Sequence, residues 1–117
     1  MTTEAVIHII MAMDKQEAFK MKLKNGAKEE YKRRHAALWP EVKALLKAKG
    51  ISDYAIFLDE ETNTLFAFQH TSGGTGSQNI GGEEIMRKWW HYMNDLMETN
   101  PDESPVSIPL EKMFYLP

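Results

Sequence analysis

No cysteine occurs in the 117 residues. A disulfide framework, a zinc ribbon and a thiol nucleophile are therefore excluded. Long apolar runs are scarce. The stretch Ala5-Val6-Ile7-His8-Ile9-Ile10-Met11-Ala12-Met13 is far shorter than the roughly 20 residues that cross a bilayer. Met1-Thr2-Thr3-Glu4 before it lacks the positive flank of a signal peptide. A basic surplus is also missing: 14 Lys and Arg stand against 17 Asp and Glu, a net charge of -3. Phosphate-binding proteins show the opposite balance, which argues against a nucleic-acid partner. The small basic runs Lys20–Lys24 and Lys32–Arg34 read as solvated faces. No His, Asp or Glu pair has a metal-ligand spacing. The glycine-rich stretch at 73–76 lacks the Lys-Ser/Thr of a phosphate loop, and no G-x-S-x-G elbow is present. A soluble, cytoplasmic protein with no membrane or nucleic-acid partner is expected.

What is present suits one compact domain. Apolar residues make up 43%, enough for a real core. Phe19, Met21 and Leu23 alternate with polar residues over 17–24, as a half-buried strand requires, until Asn25-Gly26 breaks the pattern. Ala27 to about Ala37 reads as a helix with Glu29 and Glu30 in its first turns. Pro40 forces a break at Leu38–Trp39 and restarts a second helix, which buries Val42, Leu45 and Leu46 and ends at Gly50. Asp53–Leu58 and Thr64–His70 read as a hairpin around the turn Asp59–Asn63.

The stretch Ser72–Ser77 reads as a flexible loop by composition, extended by Gly81-Gly82. Glu83–Met97 reads as a helix with an apolar stripe of Ile85, Met86, Trp89, Met93, Leu96 and Met97. Asn100–Pro105 is a polar turn region, and Lys112–Leu116 reads as a last short strand. The order strand, broken helix, strand, strand, helix, strand is the split β-α-β order of a ferredoxin-like α+β fold. Helices on one face would leave the other sheet face bare, and a homodimer with two sheets face to face is the natural cover.

Tyr31-Lys32-Arg33-Arg34-His35-Ala36-Ala37-Leu38-Trp39-Pro40-Glu41 is the richest stretch chemically. On a helix Tyr31 and His35, four residues apart, share one face. A phenol beside an imidazole can handle protons near neutral pH without metal or cofactor. A lone histidine is more often plain surface or core, and His8, His70 and His91 have no such company. Tyr31 and Arg34 raise His35 above them. Trp89 and Trp90 are successive helix residues pointing about 100° apart, so one ring is expected in the core and the other at a pocket or interface. Flat rings of this kind suit the C–H faces of sugars, although packing alone explains them equally well. Tyr54 and Tyr92 are ordinary amphipathic residues by spacing.

Glu30-Tyr31-Lys32-Arg33-Arg34-His35, Leu38-Trp39-Pro40-Glu41, Asp53–Asp59, Lys88-Trp89-Trp90-His91-Tyr92-Met93, Asn100–Val106 and the ending Phe114-Tyr115-Leu116-Pro117 together resemble the L-rhamnose mutarotase family. The resemblance runs from about Ala18 to the C-terminus. It implies a dimeric ferredoxin-like α+β barrel without metal or cofactor. The implied activity is interconversion of the α and β anomers of L-rhamnose in the cytoplasm. By similarity His35 matches the family's proton-donor histidine, and Tyr31, Tyr54, Trp89 and Trp90 match its sugar-binding positions.

Ring opening needs a proton delivered to the ring oxygen and one removed from the anomeric hydroxyl. His35 is the expected acid, Tyr31 orients the sugar, and the base is open, with water one candidate. Two departures from the family pattern stand out. Residues 1–13 form an extension before a single domain at 14–117, with Met13 as an alternative start. The span Thr71–Gly82 is glycine-rich where the family carries a short helix. Other readings are a mutarotase for another aldose, a monooxygenase of the dimeric barrel group, or a ligand-binding module without catalysis.

Overall fold

The computed structural model describes residues 15–117. The expected extension, with His8 and the start at Met13, lies outside the described residues. Four strands form one antiparallel sheet: β1 (Lys15–Lys22), β2 (Ile51–Asp59), β3 (Thr64–Thr71) and β4 (Ile108–Leu110), in the spatial order β2-β3-β1-β4. Three helices connect them: α1 (Lys28–Ala36), α2 (Pro40–Ala48) and α3 (Glu84–Met93). This order is ferredoxin-like and α+β, as the element sequence implied. No described helix is long and apolar enough to cross a membrane.

The pleat sorts the sheet residues into two faces. Phe19 and Met21 of β1 and Leu65 and Ala67 of β3 point toward the helices and are buried. They form one core with Val42 of α2 and Met86, Trp89, Trp90 and Met93 of α3. The opposite face carries Phe57 and Phe68, whose rings meet edge to face at 5.9 Å, together with Ile108 and Leu110. All four are exposed, and none of the described helices covers them.

Pro40 acts as expected. Trp39 is extended at φ -59°, ψ 131°, as a residue before proline must be, and α2 starts at Pro40. The break turns Trp39 back onto α3, where its ring meets Trp89 at 5.1 Å and Tyr92 at 5.3 Å.

Three expectations need correction. The last strand is Ile108–Leu110, paired with Ala18–Lys20, and Lys112–Leu116 has no regular structure and is exposed. The apolar tail suggested a strand, but Pro109 sits within the real one; an edge strand tolerates a missing N–H. The helix from residue 84 ends at Met93 and tightens into a single 3-10 turn, Asn94–Leu96. Leu96 and Met97 stay buried, so the apolar stripe outlasts the α-helix. The glycine-rich stretch is not a loose loop: Gly76, Ser77 and Ile80 are buried. A Cβ on Gly73 would stand 2.5 Å from the Lys49 carbonyl oxygen, and one on Gly76 2.5 Å from Glu17 Oε2. At Gly73, against backbone, glycine is needed for close approach rather than for mobility.

Candidate functional site

Between the helices and the inner sheet face lies a cavity of about 590 Å³. Tyr31 and His35 of α1, Tyr54 of β2 and Trp89 and Trp90 of α3 all line it. Three elements distant in sequence thus bring five residues of suggestive chemistry to one space. Most of the remaining wall is apolar, including Met21, Leu38, Ile56, Leu58 and Met86, with the exposed Lys28 and Lys32 also contributing.

Helix α1 is strongly polar, and Tyr31 is its single buried residue. It has little hydrophobic reason to dock. Arg34 supplies another. Its guanidinium bonds Glu30 at 2.7 Å, Asp95 at 2.8 and 3.2 Å and the Tyr92 carbonyl at 2.6 Å, and lies 4.5 Å above the Tyr92 ring. One side chain therefore joins α1 to the end of α3, using the planar fork that lysine lacks. The next residue along, His35, is set by that joint against α3.

The His35 ring stacks on Tyr31 with centroids 4.3 Å apart and meets Trp89 edge to face at 5.5 Å. Its Nδ1 lies 3.2 Å from the Tyr31 carbonyl oxygen. A carbonyl only accepts, so Nδ1 carries the hydrogen and Nε2 is the atom free for exchange. Burial lowers the His35 pKa below its usual 6.5, partly opposed by that backbone bond. The neutral ring is thus favoured at pH 7. The two phenols move the other way. Burial raises the pKa of Tyr31, and burial also raises that of Tyr54 against a weaker opposing hydrogen bond from Ser77. Both stay protonated over the working range and serve as neutral hydrogen-bonding groups.

Tyr54 reaches the cavity because of a defect in β2. Ser52 pairs with His70 and Ala55 with Phe68, so β2 has one extra residue at Asp53–Tyr54. Asp53 takes φ 48°, a left-handed conformation that Asp accepts more readily than most side chains. The bulge resets the alternation. Ile51 points inward, and without the extra residue Tyr54 would point outward with Phe57's face. Spacing alone made Tyr54 look ordinary for this reason.

The tryptophan expectation is also corrected. Both rings are buried, at 4% and 5% exposure, and both line the same cavity. Successive positions on α3 therefore both reach the one cavity. Trp89 packs among His35, Trp39 and Tyr92. Trp90 packs on Gly81, where an added Cβ would lie 3.0 Å from the indole.

Sequence reading missed Ser77 and Gln69. Both are buried polar residues beside Tyr54: Ser77 Oγ donates to Tyr54 Oη at 3.2 Å, and Ser77 N donates to Gln69 Oε1 at 3.3 Å. Only the dense glycines at 73–76 hinted that backbone comes close there. Among the described residues no group of three or more His, Cys, Asp or Glu could hold a metal ion.

A family model described as L-rhamnose mutarotase matches residues 16–116. The L-rhamnose mutarotase of Formosa agariphila is 63% identical over 99 residues, covering 85% of this chain and 95% of that protein. That of Bacteroides thetaiotaomicron is 62% identical over 102 residues, covering 87% and 98%. The crystal structure of an L-rhamnose mutarotase from Formosa agariphila superposes with a TM-score of 0.82 at 57% identity, covering 88% of this chain and 99% of that one.

Proposed function

This chain belongs to the L-rhamnose mutarotase family, and from that membership we propose that it interconverts the α and β anomers of L-rhamnose by proton transfer through His35. The observation that carries the reading is the convergence of His35, Tyr31, Tyr54, Trp89 and Trp90 on one cavity. The wall chemistry suits a 6-deoxy sugar. The phenols and indole N–H groups can engage hydroxyls, while ring faces and aliphatic side chains accept C–H faces and the methyl group.

The lowered pKa of His35 turns its expected role around: the neutral ring begins as proton acceptor rather than as acid toward the ring oxygen. Neutral His35 Nε2 takes the proton of the anomeric hydroxyl as the ring carbon–oxygen bond breaks. Water gives a proton to the departing ring oxygen on opening and takes one back from that hydroxyl on closing. The aldehyde carbon rotates. The imidazolium then returns its proton to the carbonyl oxygen as the ring closes on the other face. His35 is thus acceptor in opening and donor in closing, as reversibility of one reaction requires. Tyr31 and Tyr54 hold the sugar, and both tryptophans wall it.

Saturation-transfer NMR on the anomeric protons of L-rhamnose tests the activity. Saturation passing rapidly between the α and β signals only with protein present is the expected result. No added exchange with folded protein would refute it. The pH profile tests the role of His35. Because the neutral ring starts the cycle and burial lowers its pKa below 6.5, kcat/KM should hold above that folded-state pKa. It should then fall about tenfold per unit below the folded-state pKa. A rise on acidification would assign the imidazolium as the starting form instead.

The exposed sheet face supports a homodimer. Phe57 (61% exposed), Phe68, Ile108 and Leu110 form an apolar strip that two copies can bury face to face. Light scattering at micromolar concentration should report a dimer, and Phe57→Asp should shift it to monomer. A monomeric wild-type protein would contradict the pairing. A cytoplasmic location goes with this reading, since a chain without cysteine suits a reducing compartment.

A further inference from the structure

Ser77 lies outside the cavity yet is completely buried, in the 3-10 turn Ser77–Asn79. Buried hydroxyls stay bonded, and this one has a partner on each side. Gln78 Nε2 donates to Ser77 Oγ at 3.3 Å, and Ser77 Oγ donates to Tyr54 Oη at 3.2 Å. An amide NH2 can only donate, so Ser77 Oγ is the acceptor in its bond with Gln78. The one hydrogen of Ser77 is then available for Tyr54 Oη, the direction in which that bond runs. Tyr54 Oη, accepting that hydrogen, must turn its own elsewhere, and Tyr54 lines the cavity.

The backbone around Ser77 is held as firmly. Its N–H is bound by Gln69 Oε1 on β3. Gly76 lets the turn sit close against the side chains of Glu17 and Gln69. Gly73 lets the same segment sit on the Lys49 carbonyl. The polar cluster is thus built into the fold behind one phenol of the site.

We propose that Ser77 is a positioning residue for Tyr54: through the chain Gln78 to Ser77 to Tyr54 it aims the Tyr54 hydroxyl proton into the cavity, making Tyr54 a hydrogen-bond donor to a sugar oxygen. The inference rests on the mutarotase reading for its kinetic consequence and on this hydrogen-bond chain alone for its geometry.

The test compares wild type, Ser77→Ala, Tyr54→Phe and the double variant. One net hydrogen bond is at stake, so Ser77→Ala should raise KM for L-rhamnose about two- to tenfold, with kcat and the His35 pH limb unmoved. In the Tyr54→Phe background the same substitution should leave KM unchanged, since its target is gone. A purely structural serine would instead lower the active fraction, and so kcat, alike in both backgrounds. Either that result or an unchanged KM in Ser77→Ala overturns the proposal.

A second readout needs no activity. The tyrosine doublet in ultraviolet resonance Raman reports whether a phenol donates or accepts. The difference between wild type and Ser77→Ala should show loss of an accepted hydrogen bond and vanish in the Tyr54→Phe background. No difference, or loss of a donated bond, overturns the proposal. Absence of wild-type anomerisation would overturn the mutarotase reading and leave the Raman result to decide the geometry.

Discussion

Replacing His35 by alanine is expected to lower kcat for anomer exchange roughly 100- to 10,000-fold, the usual contribution of a positioned acid or base. The fold should survive. The ring is only partly buried, its hydrogen bond runs to the carbonyl of its own helix, and the tie between α1 and α3 belongs to Arg34. What is lost in packing is the stack on Tyr31 and the edge contact with Trp89, together about 1–2 kcal/mol. Circular dichroism should therefore show a folded protein with a modestly lower melting temperature, while saturation transfer between the anomers nearly disappears. His35→Gln, which can still hydrogen-bond but cannot accept a proton at neutral pH, should be about as inactive. Turnover near the wild-type level in either variant would remove His35 from the chemistry and return the site to ligand binding.

Local rules made much of this legible. Tyr31 and His35 share a helix face because helical spacing requires it, and the stack at 4.3 Å is what four residues' separation implies. Pro40 placed the break, and the alternation of Phe19, Met21 and Leu23 placed the core face of β1. The failures share a cause: each depended on a contact made by distant chain. Asp53 resets the alternation of β2 against β3, and no period within 53–58 announces which face Tyr54 will take. The glycines at 73–76 carry the composition of a flexible loop, but at Gly73 the Lys49 backbone supplies a surface against which only glycine fits. Ser77 drew no notice because a lone serine has no pattern. Its role exists only once the turn is laid beside Tyr54. The tryptophan pair failed differently: successive helix positions were expected to part between core and pocket, yet both rings are buried and both line the one cavity.

Trp89 carries the other large effect. Trp89→Ala should destabilise the protein by about 3–5 kcal/mol, the range for truncating a buried large aromatic. The ring is 4% exposed and is contacted by His35, Trp39 and Tyr92 from α1, the α1–α2 break and its own helix. Its removal opens a void where three elements meet, beside a cavity that is already present, so collapse around it cannot refill the space. A domain of this size has only about 5–15 kcal/mol in total, so the variant should sit near the edge of folding. Urea unfolding followed by circular dichroism measures it, and a loss under about 1 kcal/mol would show that the ring is not a core member. Trp89→Phe separates stability from function. The smaller ring keeps much of the packing but loses the broad wall and the indole N–H, so the fold should hold while KM for L-rhamnose rises. If Trp89 served packing alone, Trp89→Phe would cost stability and leave KM where it was. The two variants together therefore ask whether one side chain both closes the core and faces the sugar, which its burial and its place on the cavity wall together imply.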